Sequence, residues 1–267
     1  MAEITRRWTQ QPPAGTKLDK SNPITEGLRW LWTASSKKSV VGDTTITGTG
    51  FLNPGEAGLG YNVTANSEVP SFGVPTGWNL FDAAGFTIFI LVDQQAGSGF
   101  RGLIGQRDGV QSAPTWALLS TGTRWYIENM CNDLGAFSNL AGRYLHIVTG
   151  RPGGTAFGYT NGILTGSSTC VAANTATAIP VRLAINRLDF PENLLGNYYM
   201  AALWQRQISS AEVAQLTAKP WQLFAPRRIW VPVAAAGGAT LPTLSNATFV
   251  PGSVTATSFR PRVTATY

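Results

Sequence analysis

Histidine is nearly missing from this sequence: His146 is the only one in 267 residues. A histidine-based metal cluster is excluded, and a catalytic base here would need a nucleophile and an orienting carboxylate beside it. The neighbourhood Tyr144-Leu145-His146-Ile147-Val148 offers neither, so His146 reads as a structural histidine within an apolar strand. Cysteine is almost as scarce. Cys131 and Cys170 lie far apart, outside any CxxC spacing, which points to two buried free thiols rather than a metal site or a disulfide framework. Long apolar runs are also absent. The longest, Phe86 to Val92 with Thr87 inside it, is far too short to cross a bilayer as a helix. The opening Met-Ala-Glu-Ile-Thr-Arg-Arg lacks the apolar core of a secretory signal. The expectation is a soluble protein made in a cytoplasm, without membrane insertion.

Charge is sparse. Charged residues are 13% of the chain, roughly half the ~25% of an average soluble domain. The net +6 comes from 15 Arg and 5 Lys, and arginine's weakly hydrated fork suits interfaces better than an ammonium group does. No zinc-finger or RNA-recognition signature accompanies the positive charge, so nucleic acid is not an expected partner.

Catalytic signatures are lacking too. Neither GxxxxGK[ST] nor GxSxG occurs. Gly97-Ser98-Gly99-Phe100-Arg101-Gly102 imitates a dinucleotide fingerprint, but it leads into another short strand instead of the helix whose N-terminus would hold pyrophosphate. Glycoside hydrolysis needs two carboxyl groups flanking the scissile bond. The acidic residues Asp93, Asp108, Glu128, Asp133 and Asp189 are isolated, mostly at turns. Asp82, Asp108 and Asp133 form no local cluster of the kind calcium requires. No enzyme activity, cofactor or metal is expected.

What is present is β-forming material. Hydrophobic residues are 43%, with 9 Trp, 12 Phe and 7 Tyr, and 29 Gly with 16 Pro supply frequent turns. Leu28 to Trp32 alternates at period 2, the mark of a half-buried strand. Phe86 to Val92 is continuous enough to be covered on both faces. Further strands are predicted over 102–105, 115–119, 124–128, 144–149, 156–160, 182–185 and 198–204, and Asn161-Gly162 is a strong hairpin signal. Short strands at such spacing indicate an all-β sandwich or barrel. One helix is predicted over 210–218, opened by the capping box Ser209-Ser210-Ala211-Glu212 and stopped by Pro220. The expected organisation is an N-terminal arm (1–23), a sandwich (24–218), a Trp/Pro-rich segment and Ala/Gly linker (219–238), and a strand-like docking tail (239–267). The tail carries an internal echo, Val254-Thr255-Ala256-Thr257-Ser258-Phe259 and Val263-Thr264-Ala265-Thr266-Tyr267. Each copy is too short to bury a face of its own.

Phe86 to Val92, Tyr144 to Val148 and Tyr159-Thr160-Asn161-Gly162 resemble the laminin-G-like/concanavalin A-like jelly roll. Leu183 to Arg187, Gly196 to Trp204 and Ile208 to Glu212 are similar to that family's closing strands and capped helix. The resemblance implies a jelly-roll β-sandwich and carries no activity with it. The flanks Gly15 to Asp19, Asn22 to Thr25, Pro220 to Phe224 and Ile229 to Pro232 look like segments bracketing such domains in tailed-phage proteins. That resemblance implies a virion component assembled in the host bacterial cytoplasm, with tail, baseplate or fibre slightly favoured over head decoration. The implied partners are other virion proteins, including copies of itself, and host-surface glycan. Arg227, Arg228, Trp230, Phe249, Phe259, Arg260, Arg262 and Tyr267 are the expected partner contacts, because arginine beside aromatics is the composition of interface anchors. Trp78, Trp116 and Trp125 are the candidate glycan-stacking residues, although a strand aromatic more often belongs to the core. A stand-alone lectin-like module is the alternative.

Overall fold

In the sandwich, alternating apolar and turn-forming residues fold into two antiparallel sheets. The computed structural model describes residues 2–6, 10–47, 51–55, 58–64, 70–97, 99–107, 115–172, 178–185 and 193–231. In chain order the strands are β1 (Ala2–Arg6), β2 (Leu28–Thr33), β3 (Phe51–Gly55), β4 (Gly58–Val63) and β5 (Phe86–Gln94). Next come β6 (Phe100–Gln106), β7 (Trp116–Thr121), β8 (Arg124–Ile127), β9 (Gly142–Gly150), β10 (Thr155–Thr160) and β11 (Ile163–Thr169). β12 (Arg182–Leu183), β13 (Gly196–Trp204), helix α1 (Ser210–Ala218) and β14 (Arg227–Val231) complete the series. The chain divides into two units, Thr5–Arg228 and the pair of ends Met1–Ile4 with Ile229–Tyr267. β1 and β14 form a two-stranded sheet of their own.

The large sheet runs β11-β10-β9-β5-β13-β4-β3, with β2 also on β13, and the small sheet runs β12-β6-β7-β8. The all-β sandwich expected from the sequence is therefore present. β5 and β13 are buried on both faces, as the near-continuous apolar text of Phe86 to Val92 requires. Phe86, Ile88, Ile90 and Val92 enter the core between the sheets, where they meet Trp30, Trp32, Leu103, Trp116 and Trp125. Phe89 and Leu91 point the other way, into a second core with Leu31, Leu145, Tyr199, Met200 and Trp204. A register shift between Tyr198 and Met200 places the consecutive Tyr199 and Met200 in that same second core.

Helix α1 closes the second core with Val213 and Leu216, and its limits match the capping reading. Ser209 accepts from the Glu212 backbone while Glu212 accepts from the Ser209 backbone. Arg206 grips the Glu212 carboxylate with two nitrogens, at 2.6 and 3.1 Å, and also donates to the Glu26 carbonyl at 2.7 Å. Burial opposes ionisation of Glu212, but the Arg206 and Ser209 hydrogen bonds outweigh it and hold the carboxyl below its ordinary range.

Three expectations need correction. Cys131 and Cys170 are not free thiols; they form a disulfide with Cα atoms 4.5 Å apart. The segment after β8 turns back onto the end of β11, where the two cysteines face each other as an isolated bridge. Sequence spacing could not show that return. The sandwich also outruns its expected limits at both ends. Trp221, Leu223 and Phe224 are buried in the second core, Leu18 bridges Phe224, and Asp19 N–H donates to the Leu223 carbonyl at 2.7 Å. Residues 17–26 and 220–225 thus belong to the body, because their apolar side chains cover the outer face of the large sheet. Finally, β1, β3, β4, β11 and β14 fall outside the strands expected from the sequence. β11 (Ile-Leu-Thr-Gly-Ser-Ser-Thr) is an edge strand, its hydroxyl-rich text weak in alternation.

The disulfide closes a loop of 39 residues, for which chain-entropy reasoning gives a stabilisation of about 3–4 kcal/mol. Unreduced protein should show no titratable thiol after denaturation. The C131S/C170S double variant should unfold at a clearly lower denaturant concentration, with the slope of the transition reporting any change in the unfolded state.

Candidate functional site

A groove of about 1380 Å³ opens on the Thr5–Arg228 unit, between the stretch Pro13–Glu26 and the turn-rich stretch Thr33–Val41. Leu18, Leu28, Val40, Val41 and Phe224 supply its apolar lining. Hydroxyls of Thr16, Thr25, Thr33, Ser35, Ser36 and Ser39 and the ammonium groups of Lys17, Lys20 and Lys38 supply its polar lining, with Glu26 the one carboxylate among the described residues. Local hydrogen bonds hold each wall. Asn22 caps a short 3-10 turn by accepting from Ile24 N–H at 3.1 Å, and donates to the Gln222 carbonyl at 3.0 Å. Opposite, Val40 N–H donates to the Leu31 carbonyl at 2.7 Å and Ser39 N–H to the Thr44 carbonyl at 2.8 Å. Lys38 pairs with Asp43 at 2.8 Å in full solvent. Their hydrogen bond and mutual attraction raise the lysine's pKa and lower the aspartate's.

Hydroxyls, solvent-exposed ammonium groups and an apolar floor suit a polyhydroxylated or anionic ligand. Elsewhere several acidic residues are engaged by arginines: Asp93 by Arg143 at 2.9 Å, and Glu128 and Asp133 by Arg107 and Arg124. Asp108 and Asp189 lie outside the described residues. Among the described residues no group of three or more His, Cys, Asp or Glu side chains gathers to hold a metal ion.

Trp78, Trp116 and Trp125, the candidate stacking residues, are 4%, 0% and 0% exposed. They cannot offer a ring face to a sugar as the chain is folded. Their indole N–H groups are satisfied inside: Trp78 and Trp116 both donate to Gln106 Oε1, at 3.1 and 3.0 Å, and Trp125 to the Leu134 carbonyl at 2.8 Å. Strand phase turns Trp116 of β7 and Trp125 of β8 into the core between the sheets, and Trp78, in the connection before β5, packs edge-on against Trp116 with ring centroids 6.2 Å apart. Of the expected partner contacts, Arg227, Arg228 and Trp230 fall in β14, where only the backbone is described. Phe249, Phe259, Arg260, Arg262 and Tyr267 lie outside the described residues. The groove itself escaped sequence reasoning because residues 1–23 read as an arm. Asn22-Pro23, a cap followed by a residue suited to a first helical position, was the signal that this stretch is ordered.

His146 is fully buried between rings: Phe137 and Tyr144 stack on it at 4.9 and 5.5 Å, and Trp125 tilts against it at 5.4 Å. Its Nδ1 lies 3.2 Å from Thr160 Oγ1 and its Nε2 lies 3.4 Å from Gln94 Oε1. The sequence reading of a structural histidine agrees with this packing.

No protein-family model matches the chain, and no curated protein sequence matches it. Solved structures do. Trypanosoma rangeli sialidase is similar over 72% of this chain and 33% of its own, with TM-score 0.51 and 17% identity. The binding domain of botulinum neurotoxin DC, solved in complex with rat synaptotagmin II, matches 73% of this chain and 52% of its own, with TM-score 0.53 and 12% identity. The same domain solved in complex with SialylT matches with TM-score 0.53 at 12% identity, over 73% of this chain and 51% of its own. The chain thus spans a third to about half the length of these proteins, and at such identities the likeness is one of fold, a jelly-roll-like β-sandwich.

Burial pushes the His146 pKa from 6.5 down to about 3. The unfolded chain therefore takes up a proton below about pH 6.5 that the native state refuses until about pH 3. Stability should be full above that window and fall as pH drops through it, by up to ~1.4 kcal/mol per pH unit. Denaturant midpoints measured from pH 7 to pH 4 should decline more steeply for the wild type than for His146→Phe. Equal slopes would show that another group governs the decline.

Proposed function

We propose that this chain is a non-enzymatic structural component of a tailed-phage virion, docked through its terminal segments, whose sandwich presents a binding groove to host-surface glycan. The docking half is carried by the sequence of the tail: each copy of the strand-like echo at 254–259 and 263–267, which lies outside the described residues, is too short to bury a face of its own. Strand-like segments of that kind carry backbone donors and acceptors that need a sheet edge, and a neighbouring subunit supplies one by strand addition. Tail, baseplate or fibre fits a glycan-facing role better than head decoration does. The disulfide is in keeping with an exterior position, since such bonds persist on virion and cell surfaces.

The glycan half rests on the groove, where hydroxyls and three lysines line a floor of aliphatic side chains. Structures of the same fold include a binding domain solved with SialylT and a sialidase solved with sialic acid, which supports reading the groove as a sugar site. The same groove favours the second reading, a stand-alone lectin-like module that needs no assembly.

Removing residues 239–267 should abolish incorporation into particles while the circular dichroism and unfolding midpoint of the sandwich stay as they were. Undiminished incorporation would leave the lectin-like reading. On a glycan array the full chain should bind acidic, polyhydroxylated sugars. A K17A/K20A variant should bind about tenfold more weakly, since each exposed ammonium contributes at most a modest attraction to an anionic sugar. A flat array would remove the glycan role and leave the docking role standing.

A further inference from the structure

A second hollow, of about 520 Å³, opens on the outer face of the large sheet, where β10 passes the connection from β13 to α1. Its floor is a pair of rings. Phe157 and Tyr159 alternate along β10 with the buried Ala156 and Gly158. Gly158 faces Trp125 in the core between the sheets, so the two rings point outward, and both are half-buried. Phe157 lies opposite Thr149 of β9 on one side and Ser167 of β11 on the other. Cross-strand neighbours that small cannot cover the ring, and the hollow forms beside it.

The wall is fixed to the sheet. Thr87 Oγ1 donates to the Arg206 carbonyl at 2.8 Å, and Ile208 N–H donates to Thr149 Oγ1 at 2.9 Å, which pins the connection that precedes α1. Glu212 is the one charged side chain in the lining among the described residues, and its carboxylate is already engaged. Arg206 holds it, and Ser209 donates to it from backbone N–H and hydroxyl at 2.8 and 2.9 Å. The hollow therefore has no free charge to offer an ion. What stays open is a set of neutral groups. The Tyr159 hydroxyl, the Gln207 amide and the Ser210 hydroxyl line it and make no hydrogen bond among the described residues. Gln207 and Ser210 are exposed. Partial burial raises the Tyr159 phenol above its ordinary pKa, so its hydroxyl keeps its proton and can donate.

We infer that this hollow is a second carbohydrate site, taking one uncharged sugar ring with its C–H face on Phe157 and its hydroxyls against Tyr159, Gln207 and Ser210. An aromatic floor with a few placed polar groups is the composition of small-molecule sites, and the volume lies within their range of roughly 300–1,000 Å³. An apolar ligand would cover the three polar groups without pairing them, which costs affinity. An ionic ligand would find its only possible partners, Arg206 and Glu212, bonded to each other. The groove, with its lysines, is lined by other residues and has the opposite preference in charge.

Saturation-transfer NMR of the full chain at pH 7 tests the site. The probes are the methyl glycosides of glucose, galactose and mannose, against cyclohexanol, a ring without the array of hydroxyls. At least one glycoside should give a saturable signal, strongest on the C–H protons of one ring face, and cyclohexanol should not. Phe157→Ala should weaken binding about tenfold, since it removes the stacking surface. Gln207→Ala alters only an exposed side chain, so its unfolding midpoint should equal that of wild type while the glycoside binds about fivefold more weakly. The K17A/K20A variant should bind the neutral glycosides as wild type does. No saturable signal from any of the three, an equal signal from cyclohexanol, or unchanged affinity in Gln207→Ala and Phe157→Ala would overturn the site. So would loss of the neutral sugars in K17A/K20A, which would move them to the groove. Acidic sugars report on the groove and neutral ones on this hollow, so either reading can fail alone.

Discussion

Everything in the sandwich depends on β5 and β13 being buried on both faces. Their ladder, Gln94 opposite Gly196 through Thr87 opposite Trp204, is the floor of one core and the roof of another. A strand in that position cannot alternate polar and apolar residues, and neither does. The slip in register at Tyr198–Met200 lets two consecutive large side chains serve the outer core, where they help to hold the helix and the segments around Leu18 and Phe224 against the sheet. Without that second core, the walls of the groove would have nothing to rest on.

Much of this was legible from the residues, for reasons that differ by element. Phe86 to Val92 announced a central strand because only double burial tolerates seven such residues in a row. Ser209 and Glu212 announced the start of α1 because the capping exchange is local. What stayed hidden required distant partners. The Cys131–Cys170 bond depends on where the segment after β8 crosses β11, and no spacing rule reaches across 39 residues. The fate of Trp78 and Trp116 depends on Gln106, which accepts from both indoles and whose own amide donates to the Ile179 carbonyl at 2.8 Å. A glutamine clamping two tryptophans leaves no periodic trace. The groove was hidden by a subtler fault: its lining residues are short and polar, and such text reads as a tether until its hydrogen bonds to Gln222 and Leu223 are seen.

The molecule divides its polar chemistry by depth. The groove places lysines in water, where ammonium groups stay hydrated and are weak individually. Arg101 of β6, with 6% of its surface exposed, is the reverse, a single charge in a dry place where each hydrogen bond made or missed counts for much more. A protein with only 14 acidic residues has few internal carboxylates to spare, and Glu128, Asp133, Asp93 and Glu212 are already held by Arg107, Arg124, Arg143 and Arg206.

The Cys131–Cys170 link also has a mechanical meaning. An outermost strand is the one a pulling force peels first, opening its ladder rung by rung. Here one end of β11 is held by the tight Asn161-Gly162 turn, and its other end is followed directly by Cys170, welded to the segment beyond β8. Tension entering β11 from the Cys170 end is therefore shared through the disulfide with the segment beyond β8.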